Sequence, residues 1–248
     1  MIAANGAERT RLLSRLESGR FAVIKGMMYD EWVLNRLPNA QFEYYRTAFD
    51  CISALKNDNV DAFPYDDSML KYIIGNASES FAFIYDEGFG VADYGFAVNT
   101  NRPDLKKAID EAIAEIRAEG SYHDMVTRWF PRTGATGIMP QLKLTGKNGK
   151  LKFGTSTIDR PFTFIVGDGV ITGFDIELAT RICAKLETEL EISAITFSEL
   201  IPAVVSEEVD MIGAALAITE ERCRSVLFSE PYFQAKVALL VKSDFASI

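Results

Sequence analysis

Residues 131–150 interrupt the chain. Pro131, Gly134, Gly137, Pro140, Gly146 and Gly149 fall in one stretch without an apolar period, while on both sides strand-like apolar runs alternate with helical stripes. Gly and Pro at this density end regular structure, and alternation of the two periods is the mark of an α/β chain. At ~150 residues per compact unit, 248 residues make one to two units, so a two-lobed α/β protein is the first expectation, with residues 131–150 as a linker.

Before the linker, residues 21–24 read as a strand ending at Lys25-Gly26, and residues 28–36 as the helix that follows. Residues 47–56 place Ala48, Cys51, Ile52 and Leu55 on one helical stripe, and residues 60–63 form the next strand. Residues 103–119 give the clearest helix, opened by Pro103 and stopped by Gly120, with a short second helix running to Trp129-Phe130. After the linker the spacing predicts strands at 151–155, 163–165, 190–195, 209–212 and 236–242. Helices are expected from Asp175, with Ile176, Ala179, Ile182, Cys183 and Leu186 inward, and over 198–206.

Composition removes several classes of function. Hydrophobic residues at 48% and charged residues at 25% exclude a disordered chain. A net charge of −9, with no local basic cluster, excludes the positive field that nucleic acid requires. The longest apolar runs fall short of the roughly 20 residues that cross a bilayer. The first residues lack the basic and apolar regions of a signal peptide, so the chain is expected to be cytoplasmic, processed, or excised from a longer protein. Three cysteines, none in a C-x-x-C pair, indicate no disulfide framework; Cys51 and Cys183 read as small buried hydrophobes. His123, the one histidine, has no Cys or second His at ligand spacing, so neither a metal site nor a Ser-His-Asp triad is expected.

An internal echo links the halves. Phe49-x-x-Ile52-x-Ala54-Leu55 followed by Val60-Asp61-Ala62 is matched by Phe197-x-x-Leu200-Ile201-x-Ala203-Val204 followed by Val209-Asp210-Met211. Ligands of open α/β sheets bind beyond the carboxyl ends of the strands. There the first half offers Tyr65-Asp66-Asp67 and the second Thr219-Glu220-Glu221-Arg222, a carboxylate and a guanidinium.

At these residues a family resemblance emerges. Gly173-Phe174-Asp175-Ile176-Glu177-Leu178-Ala179, Phe197-Ser198-Glu199-Leu200-Ile201-Pro202-Ala203, Val209-Asp210-Met211-Ile212, Ile218-Thr219-Glu220-Glu221-Arg222 and Phe228-Ser229-Glu230-Pro231-Tyr232 resemble the first lobe of the amino-acid class of extracytoplasmic solute-binding proteins of ABC transporters. Val23-Ile24-Lys25-Gly26, Val60-Asp61-Ala62, Asp66-Asp67, Tyr94-Gly95-Phe96-Ala97 and Gly120-Ser121-Tyr122 leading to Trp129-Phe130 resemble the second lobe and closing helices of that family. The order is inverted. The resemblance therefore implies a circularly permuted two-lobed periplasmic-binding-protein type II (Venus-flytrap) fold, in the order found where a binding domain is fused ahead of a permease. Residues 1–94 would form lobe 2. Residues 95–248 would form lobe 1, with its C-terminal helices at 103–130, the linker at 131–150 and a hinge strand at 236–242. An excised junction of two tandem binding domains is the other arrangement that this order allows.

The resemblance also implies roles. Arg222, in its Thr219-x-x-Arg222 setting, would pair the carboxylate of a free amino acid bidentately, and Asp66, beside Tyr65, would hold the ammonium across an interlobe cleft. Phe197 would pack on the ligand, Thr155 would stand at the end of the first-lobe strand, and the Gly26-Met27 turn would offer backbone N–H groups. Ser156, Asp159, Ala217 and Met27 depart from the residue types usual in the family, and Asp159 with Arg160 would read a polar or charged group of the ligand. Asp67 is expected to be solvent-facing or capping. A small polar solute, an amino acid first among candidates, would be delivered to an ABC transporter permease by a monomeric extracytoplasmic protein that needs no cofactor. A sensory domain, or an enzyme of the dehydratase or transglycosylase type, is the alternative on the same scaffold.

Overall fold

The computed structural model describes residues 6–75, 80–130 and 137–246. The chain divides into two compact units, Met1–Ala92 with Ala235–Ile248, and Asp93–Gln234. The first division falls two residues before the expected 94/95 boundary, and the stretch from Ala235 belongs to the first unit. Residues 131–136 of the expected linker lie outside the described residues, and 137–149 hold no helix or strand.

In the first unit the chain runs α1 (Gly6–Arg15), β1 (Arg20–Ile24), α2 (Tyr29–Arg36), β2 (Gln41–Tyr45), α3 (Ala48–Lys56), β3 (Phe63–Asp66), α4 (Asp67–Ile74) and β4 (Phe81–Ile84), and β5 (Val91–Tyr94) carries it into the second. The second unit continues with β6 (Ala97–Asn99), α5 (Pro103–Ala118), α6 (Ser121–Trp129), β7 (Lys150–Thr155), β8 (Ile158–Asp159), β9 (Thr163–Val166), β10 (Val170–Thr172), α7 (Phe174–Lys185), β11 (Glu189–Ala194), α8 (Leu200–Val205), β12 (Met211–Ile212), α9 (Glu220–Cys223) and β13 (Val226–Phe228). β14 (Phe233–Lys242) returns the chain to the first unit, where α10 (Ser243–Ala246) follows.

In the first unit β1 pairs parallel with β2 and bridges to Ala62, also parallel, so its Phe21, Ala22, Val23 and Ile24 are covered and buried. β3 and β4 pair antiparallel with β14. α3 forms where the apolar stripe predicts it. A capping box fixes its start: Thr47 accepts from Asp50 N–H while the Asp50 carboxylate accepts from Thr47 N–H. The regular strand after α3 begins at Phe63 and not at Val60. Val60 to Ala62 instead form a tight connection, in which Asp61 accepts the Arg20 N–H at 2.8 Å and ion-pairs with its guanidinium, and the ladder to β14 starts only beyond it.

The second unit is a five-stranded sheet in the order β11-β7-β12-β6-β13. β11, β7 and β12 are parallel, and β6 alone runs the other way, pairing antiparallel with both β12 and β13. A small β10-β9-β8 sheet stands beside it. α5 buries Leu105, Ile109, Ala112, Ile113 and Ile116, the expected stripe. α7 is buried on nearly every side, Asp175 and Glu177 included. Gly173 precedes α7 at φ +138°, and a Cβ there would stand 2.0 Å from the Phe162 carbonyl oxygen. Gly173→Ala is expected to cost about 2 kcal/mol or more, read as a lowered urea midpoint.

The internal echo is a repeated piece of structure. α3 and α8 each end in a Schellman turn with a non-glycine residue in the left-handed region, Asp58 at φ +59° and Glu207 at φ +61°. Asn59 N–H donates to Ala54 O and Glu208 N–H to Ala203 O, both at 3.0 Å. The aspartate of each Val-Asp pair then accepts a neighbouring strand's N–H at 2.8 Å, Asp61 from Arg20 and Asp210 from Lys152. Each unit thus builds the same helix-to-strand connection beside a parallel strand.

Candidate functional site

The three parallel strands of the second unit end at one edge of its sheet, and the loops leaving that edge carry seven of the expected site residues. Thr155 ends β7, and Ser156 and Asp159 follow it; Phe197 follows β11; Ala217, Thr219 and Arg222 follow β12. Thr155 is fully buried, and its hydroxyl donates to Ser156 O. Ser156 donates its hydroxyl to Asp159 Oδ2 at 3.1 Å, with both side chains buried.

Thr219 caps α9, accepting from Arg222 N–H at 3.1 Å. Because the cap fixes the helix start, Arg222 leaves from the first turn, where its Nη1 donates to Ala217 O at 2.8 Å and its guanidinium lies 5.5 Å from the centre of the Phe197 ring. Phe197 is half-buried, one side against the apolar cluster of Leu200, Val204, Ile212 and Leu216. An aromatic and a guanidinium are thereby set side by side at the carboxyl edge, the combination that receives a carboxylate with an apolar stem. Arg160 is engaged elsewhere: it donates to Ile165 O and stacks on Phe164, so the β8–β9 hairpin holds its guanidinium.

Four further expected residues belong to the first unit, at the carboxyl ends of β1 and β3. Gly26 turns at φ +87°. Met27 N–H donates to Ile24 O at 3.1 Å and Lys25 N–H to Tyr45 O, so the backbone contact expected of Met27 is taken up inside the turn. Tyr65 and Asp66 are the last residues of β3 rather than residues beyond it. Tyr65 is buried between the Phe63 and Tyr29 rings. Asp66, fully buried, is itself the cap of α4: its Oδ1 accepts from Ser68 N–H, Ser68 Oγ–H and Met69 N–H. Asp67 is not the capping residue, since its carboxylate accepts from Lys71 and Tyr85.

Two buried acids behind the second unit's edge escape a reading of the motifs. Glu177 accepts from Arg128, Arg181 and the Trp129 indole. Asp175 Oδ2 accepts from Ala215 N–H at 2.7 Å and Tyr232 O–H at 2.9 Å, while Oδ1 is buried with no hydrogen-bond partner. Burial pushes the Asp175 carboxyl up to about 7, with the Asp159 charge adding to it. The signal for both lay in the Gly-Phe-Asp-Ile-Glu-Leu-Ala run, where two acids sit among apolar residues with no polar face to serve. His123 is exposed on α6. No group of three or more potential metal ligands occurs among the described residues, and no helix there is long and apolar enough to cross a membrane.

The carboxyl edge of the second unit thus carries an arginine, an aromatic and small polar groups. Residues 151–248 match the model of the bacterial extracellular solute-binding proteins, family 3. Over 95 residues the chain is 37% identical to the arginine-binding extracellular protein ArtP of Bacillus subtilis (strain 168), covering 38% of this chain and 37% of ArtP. It is 41% identical over 86 residues to a probable histidine-binding protein of Campylobacter jejuni, covering 35% and 33%. Among solved structures, the arginine-bound form of domain 1 from TmArgBP is 33% identical, covering 43% of this chain and 93% of that one at a TM-score of 0.35. The chain thus spans little more than a third of the length of these two curated relatives.

Proposed function

We propose that the second unit binds a free L-amino acid at its carboxyl edge, arginine first among candidates, and that the protein hands this solute to an ABC transporter permease on the outer side of the cytoplasmic membrane. The observation that carries the reading is Arg222: its guanidinium is oriented by Thr219 and Ala217 over the Phe197 ring, inside the matched region. A planar, permanently charged fork receives a carboxylate bidentately. The relatives named for arginine and histidine favour a cationic side chain, and the buried Ser156–Asp159 pair supplies the acidic partner for it.

The inverted order of motifs is read as a circular permutation. Its support is that the helices before residues 131–150 pack in the same unit as the strands after them, with Arg128 and Trp129 of α6 both bonded to Glu177 of α7.

A thermal-unfolding panel with L-arginine, L-histidine and L-glutamine on ligand-stripped protein tests the reading. A ligand at ~100 times its Kd stabilises by ~2.7 kcal/mol, so one of the three should raise the midpoint by several degrees. Arg222→Ala is expected to weaken that binding about 100-fold, the cost of removing one side of a desolvated charge pair; no stabilisation of the parent by any of the three sinks the proposal. The same panel on Asp66→Asn, which keeps the cap acceptor of α4, tests the ammonium role implied for Asp66.

A further inference from the structure

The loop from β12 to α9 carries Ala217, Thr219 and Arg222, and it is hung from a few backbone bonds. Gly213 N–H donates to Gly154 O, Gly95 N–H to Leu216 O, and Ile218 N–H to Asp93 O. Between the first and second of these the chain turns through Ala215 at φ +47°, a left-handed conformation that a residue with a Cβ adopts only when its surroundings impose it. The side chain imposing it comes from another element: Ala215 N–H donates to Oδ2 of Asp175 in the first turn of α7.

We infer that Asp175 is a positioning residue for the ligand edge, holding the Ala215 turn so that residues 216–222 present Arg222 and its neighbours in register. The inference rests on the reading of that edge as the amino-acid site. Asp175 acts through the turn, by the bond that its Oδ2 accepts from Ala215 N–H. The groups facing its carboxyl are Tyr232 from the segment before β14, Tyr122 from α6 and Asp159 from β8, with Arg117 of α5 beyond Tyr122. Tyr122 O–H and Arg117 both donate to Tyr232 O, which fixes the phenol that bonds Asp175. As a carboxylate, Oδ2 holds the turn through charge-assisted bonds; as a neutral acid it remains an acceptor but a weaker one.

Amide exchange on the full chain, read by mass spectrometry beside L-arginine binding, tests this. Asp175→Leu removes the acceptor at similar volume. It should speed exchange of residues 213–222 about tenfold or more and weaken L-arginine about tenfold, leaving residues 150–155 unchanged. Asp175→Asn should restore both to the level of the neutral acid, with affinity flat between pH 5.5 and 8.5, whereas the parent should bind about threefold more weakly at pH 5.5. Unchanged loop exchange in the leucine variant, loosening spread evenly over the unit, or no rescue by asparagine overturns the inference. If the leucine variant does not fold, the parent's pH profile of loop protection against that of Asp175→Asn decides. Failure of the parent to bind L-arginine, with loop exchange behaving as stated, removes the functional reading and leaves the positioning role standing.

Discussion

Replacing Glu177 by alanine is expected to lower the unfolding midpoint of the second unit by roughly 6–20 °C, the equivalent of about 3–5 kcal/mol in a domain of this size. Glu177 is fully buried, and its two oxygens accept from Arg128 Nη1 at 2.8 and 2.9 Å, from Arg181 Nε and Nη2 at 2.9 and 2.8 Å, and from the Trp129 indole at 2.7 Å. Removing the acid strands a buried indole N–H and deprives two guanidinium groups, 28% and 17% exposed, of the carboxylate they share. The partial exposure of Arg128 lets water recover some of the loss, which places the expectation in the lower half of the range. Glu177→Gln keeps one acceptor and the volume, so it should cost less than alanine. Differential scanning calorimetry of both variants checks this; a midpoint within 2 °C of the parent in Glu177→Ala would show that α6 does not depend on α7 and would remove the support for the permuted reading.

What was legible in the chain followed from periodicity. α3, α5 and α6 each present an apolar stripe against polar residues, and each lies within two residues of its expected place. β2 has no such signature, because Gln41–Tyr45 is an edge strand with no buried position and therefore no alternation to read. β4 and β14 were blurred for the opposite reason. β4 is buried at all four positions, and the register of β14 is set by β3 and β4, partners distant in sequence, so its start at Phe233 has no local marker. The β3 start shifted because Asp61, which looks like part of a strand run, spends its carboxylate on the Arg20 N–H.

The candidate site divides in the same way. Thr219 and Arg222 were readable because a capping residue and the charge three positions later form a local unit. Asp66 was readable as an acid at a strand end, but its capping bonds to Ser68 and Met69 depend on α4, for which no stripe was seen. Phe197 serves both core and edge, a double role that residue type does not separate. Asp175 and Glu177 stood in plain view in a recognised motif. An acid in a helix's first turn reads as a favourable charge near the helix N-terminus, and only the burial of the first two turns of α7 makes these two interior groups.

Asp175 is therefore expected to make the protein less stable as pH rises from about 4 to about 7. Its folded-state pKa is raised from 3.8 to about 7, first by burial and then by the Asp159 charge, against the lowering by Ala215 N–H and Tyr232 O–H. Between those values the native state holds a proton that the unfolded chain has released, so the free energy of unfolding falls with increasing pH. The contribution is fully present below about 4 and gone above about 7, and amounts to roughly 4 kcal/mol across the window. Asp175→Asn carries no charge at any pH. Its stability relative to the parent should climb by most of that amount between pH 4.5 and 8, measured as the difference in urea unfolding free energies; a difference that does not change with pH would refute the interior titration. Tyr232→Phe removes a donor that favours the carboxylate and should move the window to higher pH. Together with the role assigned to the Ala215 turn, the two pH profiles run in opposite directions. Above pH 7 the carboxylate holds the Ala215 turn more firmly while the fold that contains it is weaker.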